Sequence, residues 1–261
     1  MQNLHTSVML QEAVEALKIK SDGIYIDATF GGGGHSKLIL EQLGENGRLF
    51  SYDKDSFAEN IALNKDFADS RFVFKKTSFS EFGSDMIELG LEGKISGILF
   101  DLGVSSPQLD DADRGFSFMQ DGPLDMRMNN SRGFTAADWV NSTPEKEIAD
   151  AIFQYGDERL SRRIAKSIIR ERKIRKITRT LQLADIVAGA VPRRPQGKHP
   201  ATRTFQAIRI VVNSEYEDLL SALKNSIEVL EEKGRLVALS FHSGEDRIVK
   251  HFIRNSEIPT A

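Results

Sequence analysis

Ile24-Tyr-Ile-Asp-Ala-Thr-Phe-Gly-Gly-Gly-Gly-His-Ser36 is the stretch that decides the fold. Its first seven residues have the composition of a short buried strand, and the four glycines Gly31–Gly34 follow directly. Ser36–Leu43 then has the apolar spacing of a helix. Glycines between a strand and a helix allow positive φ angles and a close approach of a ligand, and the helix N-terminus offers free N–H groups. The stretch therefore predicts a site for a nucleotide-like ligand.

The residues on both sides of this stretch continue the alternation of strand and helix. Further strands are predicted at Arg48–Asp53, Arg71–Lys75, Ile95–Asp101 and Arg235–Phe241. Apolar residues at helical spacing predict helices over residues 8–17, 56–67, 80–91, 214–232 and 246–254. Strands that alternate with helices at this interval indicate βαβ units and a parallel sheet. The predicted fold class is α/β.

The alternation stops after Asp101. Residues 102–141 are rich in Gly, Asp, Ser and Met, helical patterns cover 144–175 and 180–190, and 191–204 reads as a basic loop with prolines. The simplest organisation is a discontinuous α/β domain, residues 1–109 plus 206–261, into which a mostly helical domain, residues 110–205, is inserted.

Composition narrows the class of protein. The chain has 261 residues and no cysteine, which excludes disulfides, thiolate catalysis and cysteine zinc sites. Its five histidines are scattered, so we predict no metal. No signal peptide is visible and no apolar stretch approaches the roughly 20 residues that span a bilayer. We therefore expect a cytoplasmic protein with no membrane partner.

Charge is distributed unevenly along the chain. The net charge is −3, yet residues 159–209 contain 15 Lys and Arg against two acids. A polyanion-binding face and a solvated helical surface both produce such a segment, and its length favours phosphate contact. Within it, Arg162, Arg163, Lys166 and Arg170 lie at helical spacing and form a candidate RNA-binding stripe.

Two familiar nucleotide-binding interpretations fit the glycine loop poorly. A phosphate-binding loop needs Lys after its last glycine, but His35 and Ser36 follow Gly34. The dinucleotide pattern G-x-G-x-x-G is met by Gly31 and Gly33 alone, because Ser36 occupies its third glycine position.

The arrangement of an S-adenosylmethionine-dependent methyltransferase fits better. In it an acid ends the first strand, a glycine turn wraps the methionyl part, and an acid after the second strand binds the ribose diol; Asp27, Gly31–Gly34 and Asp53 stand in those places. A carboxylate suits a diol because it only accepts hydrogen bonds. The alternative is a tight turn with coincidental acids, which the further acid Asp101 at a strand end disfavours. His35 is expected to cap the turn or contact the cofactor.

Asp101 is the candidate catalytic residue. At the end of the fourth predicted strand it could accept hydrogen bonds from an exocyclic amino group and aim the nitrogen at an activated methyl group. A turn-capping role is the alternative, since Asp, Gly and Ser all favour turns.

Several further side chains are candidates for a functional role, but a structural role is possible for most of them. His242 follows the last predicted strand and is a candidate substrate-side residue at the same sheet edge. His199 and Arg203 lie near the end of the basic segment and either bind phosphate or a flipped base, or belong to a surface loop. Trp139 and Phe134 either stack on RNA or pack in a core.

Seven motifs, spread from residue 5 to residue 243, occur together in this chain. They are His5-Thr-Ser-Val-Met-Leu10, Asp27-Ala-Thr-Phe-Gly-Gly-Gly-Gly-His-Ser36, Asp101-Leu-Gly-Val-Ser-Ser-Pro-Gln-Leu-Asp110, Arg114-Gly-Phe-Ser-Phe118, Gly122-Pro-Leu-Asp-Met-Arg-Met128, His199-Pro-Ala-Thr-Arg-Thr-Phe-Gln206 and Ser240-Phe-His-Ser243. The combination resembles the bacterial RsmH (MraW) family, whose members methylate N4 of a cytosine in small-subunit ribosomal RNA.

The resemblance implies a Rossmann-like class I methyltransferase fold with an inserted helical domain. It also implies S-adenosylmethionine as cofactor, and the free RNA or the assembled small subunit as partner. The residues that it places against the cofactor are Gly33, Gly34, His35, Asp53, Phe79, Asp101 and Gln108. Family members usually continue with a basic tail and a final strand, so a C-terminally shortened fragment is one interpretation of this chain.

Two other classes of protein stay open from the residues. One is a noncatalytic RNA-binding protein that keeps the cofactor fold, and the other is a nicotinamide-dependent oxidoreductase, which Ser36 and the basic insert disfavour. The oligomeric state is left open, with a dimer as one possibility.

Overall fold

The computed structural model describes residues 8–192 and 199–256. The chain divides into two compact units, Met1–Gly103 with Tyr216–Ala261, and Val104–Glu215. The first unit is an α/β unit with a parallel sheet and the second is helical. The predicted fold class, a Rossmann-like α/β fold with an inserted mostly helical part, is confirmed.

The first unit contains one sheet of five parallel strands. They are β1 (Ile24–Asp27), β2 (Arg48–Tyr52), β3 (Phe72–Lys75), β4 (Ile95–Asp101) and β5 (Leu230–Leu239), in the order β3-β2-β1-β4-β5. Its helices are α1 (Leu10–Leu17), α2 (Gly34–Gln42), α3 (Ser56–Ala62), α4 (Phe82–Glu88), α11 (Glu215–Val229) and α12 (Ser243–Ser256). The strand order reverses between β1 and β4, and such a switch point leaves a crevice at the carboxyl ends of the strands.

Side chains alternate between the two faces of the sheet, and each face has its own core. Tyr25 of β1 and Leu99 of β4 pack with α1 and α2 on one face, while Ile26 and Phe100 pack with residues of α4 and α11 on the other. All four side chains are fully buried. A sheet covered on both faces is what near-continuous apolar strands require.

The second unit is built from helices around a separate core. They are α5 (Ser106–Asp110), α6 (Ala136–Ser142), α7 (Glu145–Gly156), α8 (Ser161–Ile174), α9 (Thr180–Ala190) and α10 (Thr202–Asn213). The helical pattern over 144–175 is two helices and not one, because Asp157 has a left-handed φ of 50° after Gly156. α10 was not predicted as a helix. The domain boundary predicted after residue 205 falls inside α10, which lies wholly in the second unit.

Within the described residues, no helix is both long and apolar enough to cross a membrane. Across residues 8–192 and 199–256, no group of three or more His, Asp or Glu side chains is arranged to hold a metal ion.

Candidate functional site

The carboxyl ends of β1, β2 and β4 bring together the three acids that the sequence singles out. Asp27 is the last residue of β1, Asp53 follows β2 directly, and Asp101 is the last residue of β4. In the register of the sheet, Asp27 lies opposite Ser51 of β2 and Leu99 of β4. The three acids therefore lie at one edge of the first unit, beside the glycine loop.

Asp27 organises this loop. Its side chain is completely buried, Oδ2 accepts a hydrogen bond of 2.7 Å from the Ser36 hydroxyl, and Oδ1 accepts one of 3.1 Å from the Thr29 backbone N–H. Burial raises the pKa of Asp27. The carboxylate thus joins the end of β1 to the first turn of α2, and the conformation of the loop between them depends on it.

Asp53 also supports the loop, but its side chain is only half-buried. Oδ2 accepts the backbone N–H of Gly31 and Oδ1 accepts that of Asp55, each at 2.8 Å. Burial raises the pKa of Asp53 to about 6, although these two hydrogen bonds oppose the shift. Each carboxylate oxygen has a second lone pair, so the side chain can still accept hydrogen bonds from a ribose diol.

The glycine loop is closed on one side and open on the other. Gly33 has φ +78°, and a Cβ built there would lie 2.5 Å from Cζ of the buried Phe67. Gly34 begins α2, with Gly33 as its N-cap. At Gly32 a Cβ would meet nothing within 4 Å. The backbone at Gly31–Gly32 thus forms a cradle that a ligand can approach closely, next to a helix N-terminus.

His35 and Asp101 face each other beside the cradle. His35 is 3% exposed, and its Nδ1 lies 3.6 Å from Oδ2 of Asp101, which is too long for a hydrogen bond. The His35 Nε2 is buried and has no hydrogen-bond partner among the residues that the structure describes. A buried polar atom of this kind suits a ligand that supplies the missing partner.

Thr29 is a site residue that the sequence analysis missed. Its hydroxyl oxygen accepts a 2.6 Å hydrogen bond from the backbone N–H of Asp101 and so ties the loop after β1 to the end of β4. The two residues are 72 positions apart, and no spacing rule connects them.

Phe79 and Gln108, the remaining residues that the resemblance assigns to the cofactor, lie in different units. Phe79 follows β3 in the first unit, and its half-exposed ring packs edge-to-face on Phe100 with centroids 5.7 Å apart. Gln108 lies in α5 of the second unit, is buried, and accepts the Ser105 backbone N–H at 3.0 Å in a capping box.

His242 lies in the turn between β5 and α12, and both of its ring nitrogens face groups of the first unit. Nε2 is 2.8 Å from Oε1 of the buried Glu245, and Nδ1 is 3.4 Å from the Tyr216 hydroxyl. Nδ1 also accepts the Glu245 backbone N–H at 3.5 Å, so Glu245 and Tyr216 hold the imidazole in this turn.

The predicted basic stripe is present on α8. Arg162, Arg163, Lys166 and Arg170 are exposed, whereas the opposite face buries Ile164, Ala165 and Ile168 in the core of the second unit. Arg170 also pairs with the neighbouring Glu171 at 2.9 Å. We call this four-residue face the α8 stripe.

His199 and Arg203, two of the other candidate RNA contacts, are both exposed. His199 is exposed, its ring lies 4.8 Å from that of Phe118, and its Nδ1 accepts the Ala201 N–H at 3.2 Å, so Nε2 carries the proton in the neutral ring. Arg203 is exposed and donates to the Asp157 carbonyl at 2.9 Å.

The two aromatic candidates differ in their exposure to solvent. Phe134 is 48% exposed, but Trp139 is 9% exposed and belongs to the core. Trp139 therefore packs in the second unit, and RNA stacking does not explain it.

A comparison with protein-family models places the chain in a family. A model of the MraW methylase family matches residues 2–260. One solved structure, described as a "putative rRNA-methylase" from Clostridium thermocellum, is 23% identical with a TM-score of 0.31, over 38% of this chain and 52% of that chain. The match thus spans about half of that chain, and at this TM-score it adds nothing to the family match.

Proposed function

The chain belongs to the MraW methylase family, and on that premise we propose that it transfers a methyl group from S-adenosylmethionine to N4 of a cytosine in small-subunit ribosomal RNA. The observation that carries the proposal is the meeting of Asp53, Asp101 and the open glycine cradle at one sheet edge. A dinucleotide-binding protein uses the same sheet edge, but its site needs only the acid that binds the ribose. It would give no role to Asp101.

The residues at this edge fit S-adenosylmethionine. Asp53 would accept the two ribose hydroxyls, Gly31–Gly34 would enclose the methionyl part, and Phe79 would contact the adenine. The buried Nε2 of His35 would gain a partner. When bound, the cofactor supplies a methyl group already activated by a sulfonium, so the protein has mainly to position the acceptor.

Asp101 would perform that positioning. Its side chain is 24% exposed, while its backbone is fixed by Thr29, so the side chain is presented from a rigid strand end. A carboxylate oxygen that accepts one N–H of a cytosine amino group directs the nitrogen lone pair away from itself. His242 would contact the substrate from the turn after β5, where Glu245 and Tyr216 hold its ring.

RNA would be bound by the second unit. The four cationic side chains of the α8 stripe are exposed and can reach phosphates. His199 adds an exposed N–H donor whose ring packs against Phe118. The substrate in this proposal is either the free RNA or the assembled small subunit. The target base must leave its stack before its amino group can be reached.

Transfer of labelled methyl from S-adenosylmethionine to small-subunit RNA, followed by nucleotide mapping, tests the proposal. We expect label on a cytosine amino group and its loss in Asp101→Ala, with cofactor affinity measured separately by calorimetry. Binding of both ligands by the wild type without any transfer would instead identify a noncatalytic binding protein. Calorimetric binding of NAD in place of S-adenosylmethionine would point to an oxidoreductase.

A further inference from the structure

Asp218 of α11 joins two loops at the carboxyl edge of the sheet. Its Oδ2 accepts a 2.7 Å hydrogen bond from the Ser78 hydroxyl and forms an ion pair with the Lys54 ammonium. The Asp218 side chain is 18% exposed and the Lys54 side chain 20%. The next residue of the helix, Leu219, is 1% exposed and fixes this turn of α11 in the core.

The two partners of Asp218 are sequence neighbours of the proposed nucleoside contacts. Lys54 comes directly after Asp53, the proposed ribose acid, in the loop after β2. Ser78 comes directly before Phe79, the proposed adenine contact, in the loop after β3. One carboxylate oxygen therefore restrains both loops that would hold the nucleoside half of the cofactor.

A second contact of α11 acts on the same loop. Asn225, seven residues after Asp218, donates from Nδ2 to the Ser80 carbonyl at 3.1 Å. The Ser78 hydroxyl oxygen also accepts the Ser80 backbone N–H at 3.2 Å, which closes the turn on both sides of Phe79. These bonds hold the loop from one rigid helix, and a rigid helix is the kind of support that preorganises a binding residue.

We propose that Asp218 is a positioning residue for the nucleoside half of the cofactor site. The inference rests on the proposed function, because it assumes that Asp53 and Phe79 contact the cofactor. Asp218 itself contacts no ligand in this scheme; it holds the ribose-binding and adenine-binding loops at a fixed separation before the cofactor arrives. Preorganisation raises affinity by removing the cost of ordering these loops on binding.

The test compares Asp218→Ala with wild type in calorimetric titrations against S-adenosylmethionine and against adenosine, at a temperature where both proteins are folded. We expect affinity to fall about tenfold for both ligands, the size of one lost hydrogen bond to a charged group. The fold-change should be equal because adenosine contains the whole nucleoside half. Ser78→Ala alone should reproduce part of the affinity loss. The double variant Asp218→Ala/Ser78→Ala should bind no more weakly than Asp218→Ala.

Asp150→Ala is the matched control. Asp150 also pairs with a lysine, Lys146, at 2.9 Å, but on the exposed face of α7 in the second unit. It should leave both affinities unchanged. Measuring the unfolding midpoint of each variant separates loop positioning from loss of stability.

The outcomes distinguish this inference from the proposed function. If wild type binds S-adenosylmethionine and Asp218→Ala binds it equally well, the positioning role is wrong and the proposed function stands. An affinity loss for S-adenosylmethionine without one for adenosine also refutes it, since the effect then lies in the methionyl half. If wild type binds neither ligand, the proposed function itself has failed.

Discussion

Replacing Asp53 by Asn changes both the strength and the pH dependence of cofactor binding in the proposed site. In the wild-type protein the two carboxylate oxygens accept backbone N–H groups from Gly31 and Asp55, each at 2.8 Å. An amide has one acceptor oxygen and one NH₂ donor, so Asp53→Asn must turn a donor toward one of these N–H groups. A polar group left without a partner in this way costs about 1–3 kcal/mol, and the amide can no longer accept both ribose hydroxyls.

The pH dependence follows from the raised pKa of Asp53, about 6 compared with an ordinary value of 3.8. The cofactor should bind the ionised form, because only the carboxylate accepts from both hydroxyls. At pH 5 about ten protonated carboxyls are present for each ionised one, so affinity should be about tenfold weaker than its plateau above pH 7. The stability of the cofactor-free protein should change with pH in the opposite direction to the affinity. Folding raises the pKa of Asp53, so its contribution to the free energy of unfolding is present below about pH 4 and is lost as pH rises from about 4 to 6.

Calorimetry with S-adenosylmethionine between pH 5 and 7 measures the effect, below the ordinary pKa of the cofactor's α-amino group. Asp53→Asn should bind about 10- to 100-fold more weakly at pH 7 and show a flat profile. Asp150→Asn should keep the wild-type affinity and slope. A flat wild-type profile refutes the reasoning about Asp53. A slope that persists in Asp53→Asn assigns the titration to another carboxyl, and Asp27, whose pKa is also raised by burial, is the first candidate.

Three further predictions separate binding from folding. Gly33→Ala should lower the free energy of unfolding by about 1–3 kcal/mol in denaturant titrations, because its φ is positive and its Cβ meets Phe67; Gly32→Ala, with open space around the added Cβ, should keep wild-type stability and lose cofactor affinity. Arg163→Ala should weaken RNA binding and reduce its salt dependence without changing stability by more than about 0.5 kcal/mol. His242→Ala should slow methyl transfer while calorimetry shows unchanged cofactor affinity; equal transfer rates for variant and wild type would exclude the substrate-side role.

The carboxyl ends of β2, β3 and β4 lie within one residue of their predicted positions, because two independent signals coincide there. The other two strands were predicted less well: β1 ends at Asp27 and not at Phe30, and β5 begins at Leu230, inside the helix predicted over 214–232, and not at Arg235. β4 begins and ends where predicted, since a run of apolar residues stops at Asp101 and a turn-forming sequence follows. The role of Asp27 was only half predicted. Its position at a strand end is visible in the sequence, but its complete burial and its bond to Ser36 depend on how α2 packs, which spacing does not determine.

The second unit was predicted less well because its helices depend on tertiary contacts. The break at Gly156–Asp157 had a local signal, the turn-forming Gly-Asp pair, that the strong helical period on both sides concealed. α10 begins in a stretch that reads as a basic loop with prolines, and it is stabilised by buried residues such as Phe205 and Ile208. Burial of this kind, rather than intrinsic propensity, supplies most of the stability of helices in proteins.

The basic segment shows why a charge count overstates a binding surface. Arg172 belongs to the same helix as the α8 stripe, yet its guanidinium donates to the carbonyls of Val140 at 2.8 Å and Thr143 at 2.7 Å, at the end of α6. Arg179 and Arg209 pair with acids that lie outside residues 159–209.

These arginines therefore have structural partners outside the basic segment, whereas Arg162, Arg163 and Lys166 of the α8 stripe are exposed and are the better candidates for contact with a phosphate backbone. Arg172→Ala should consequently lower the free energy of unfolding by about 1–3 kcal/mol, because two helix-end carbonyls lose their donor. Its effect on the salt dependence of RNA binding should be smaller than that of Arg163→Ala, measured by filter binding across a salt series. Equal salt slopes for the two variants would mean that the segment binds RNA through its total charge, and that the division between structural and exposed arginines has no functional meaning.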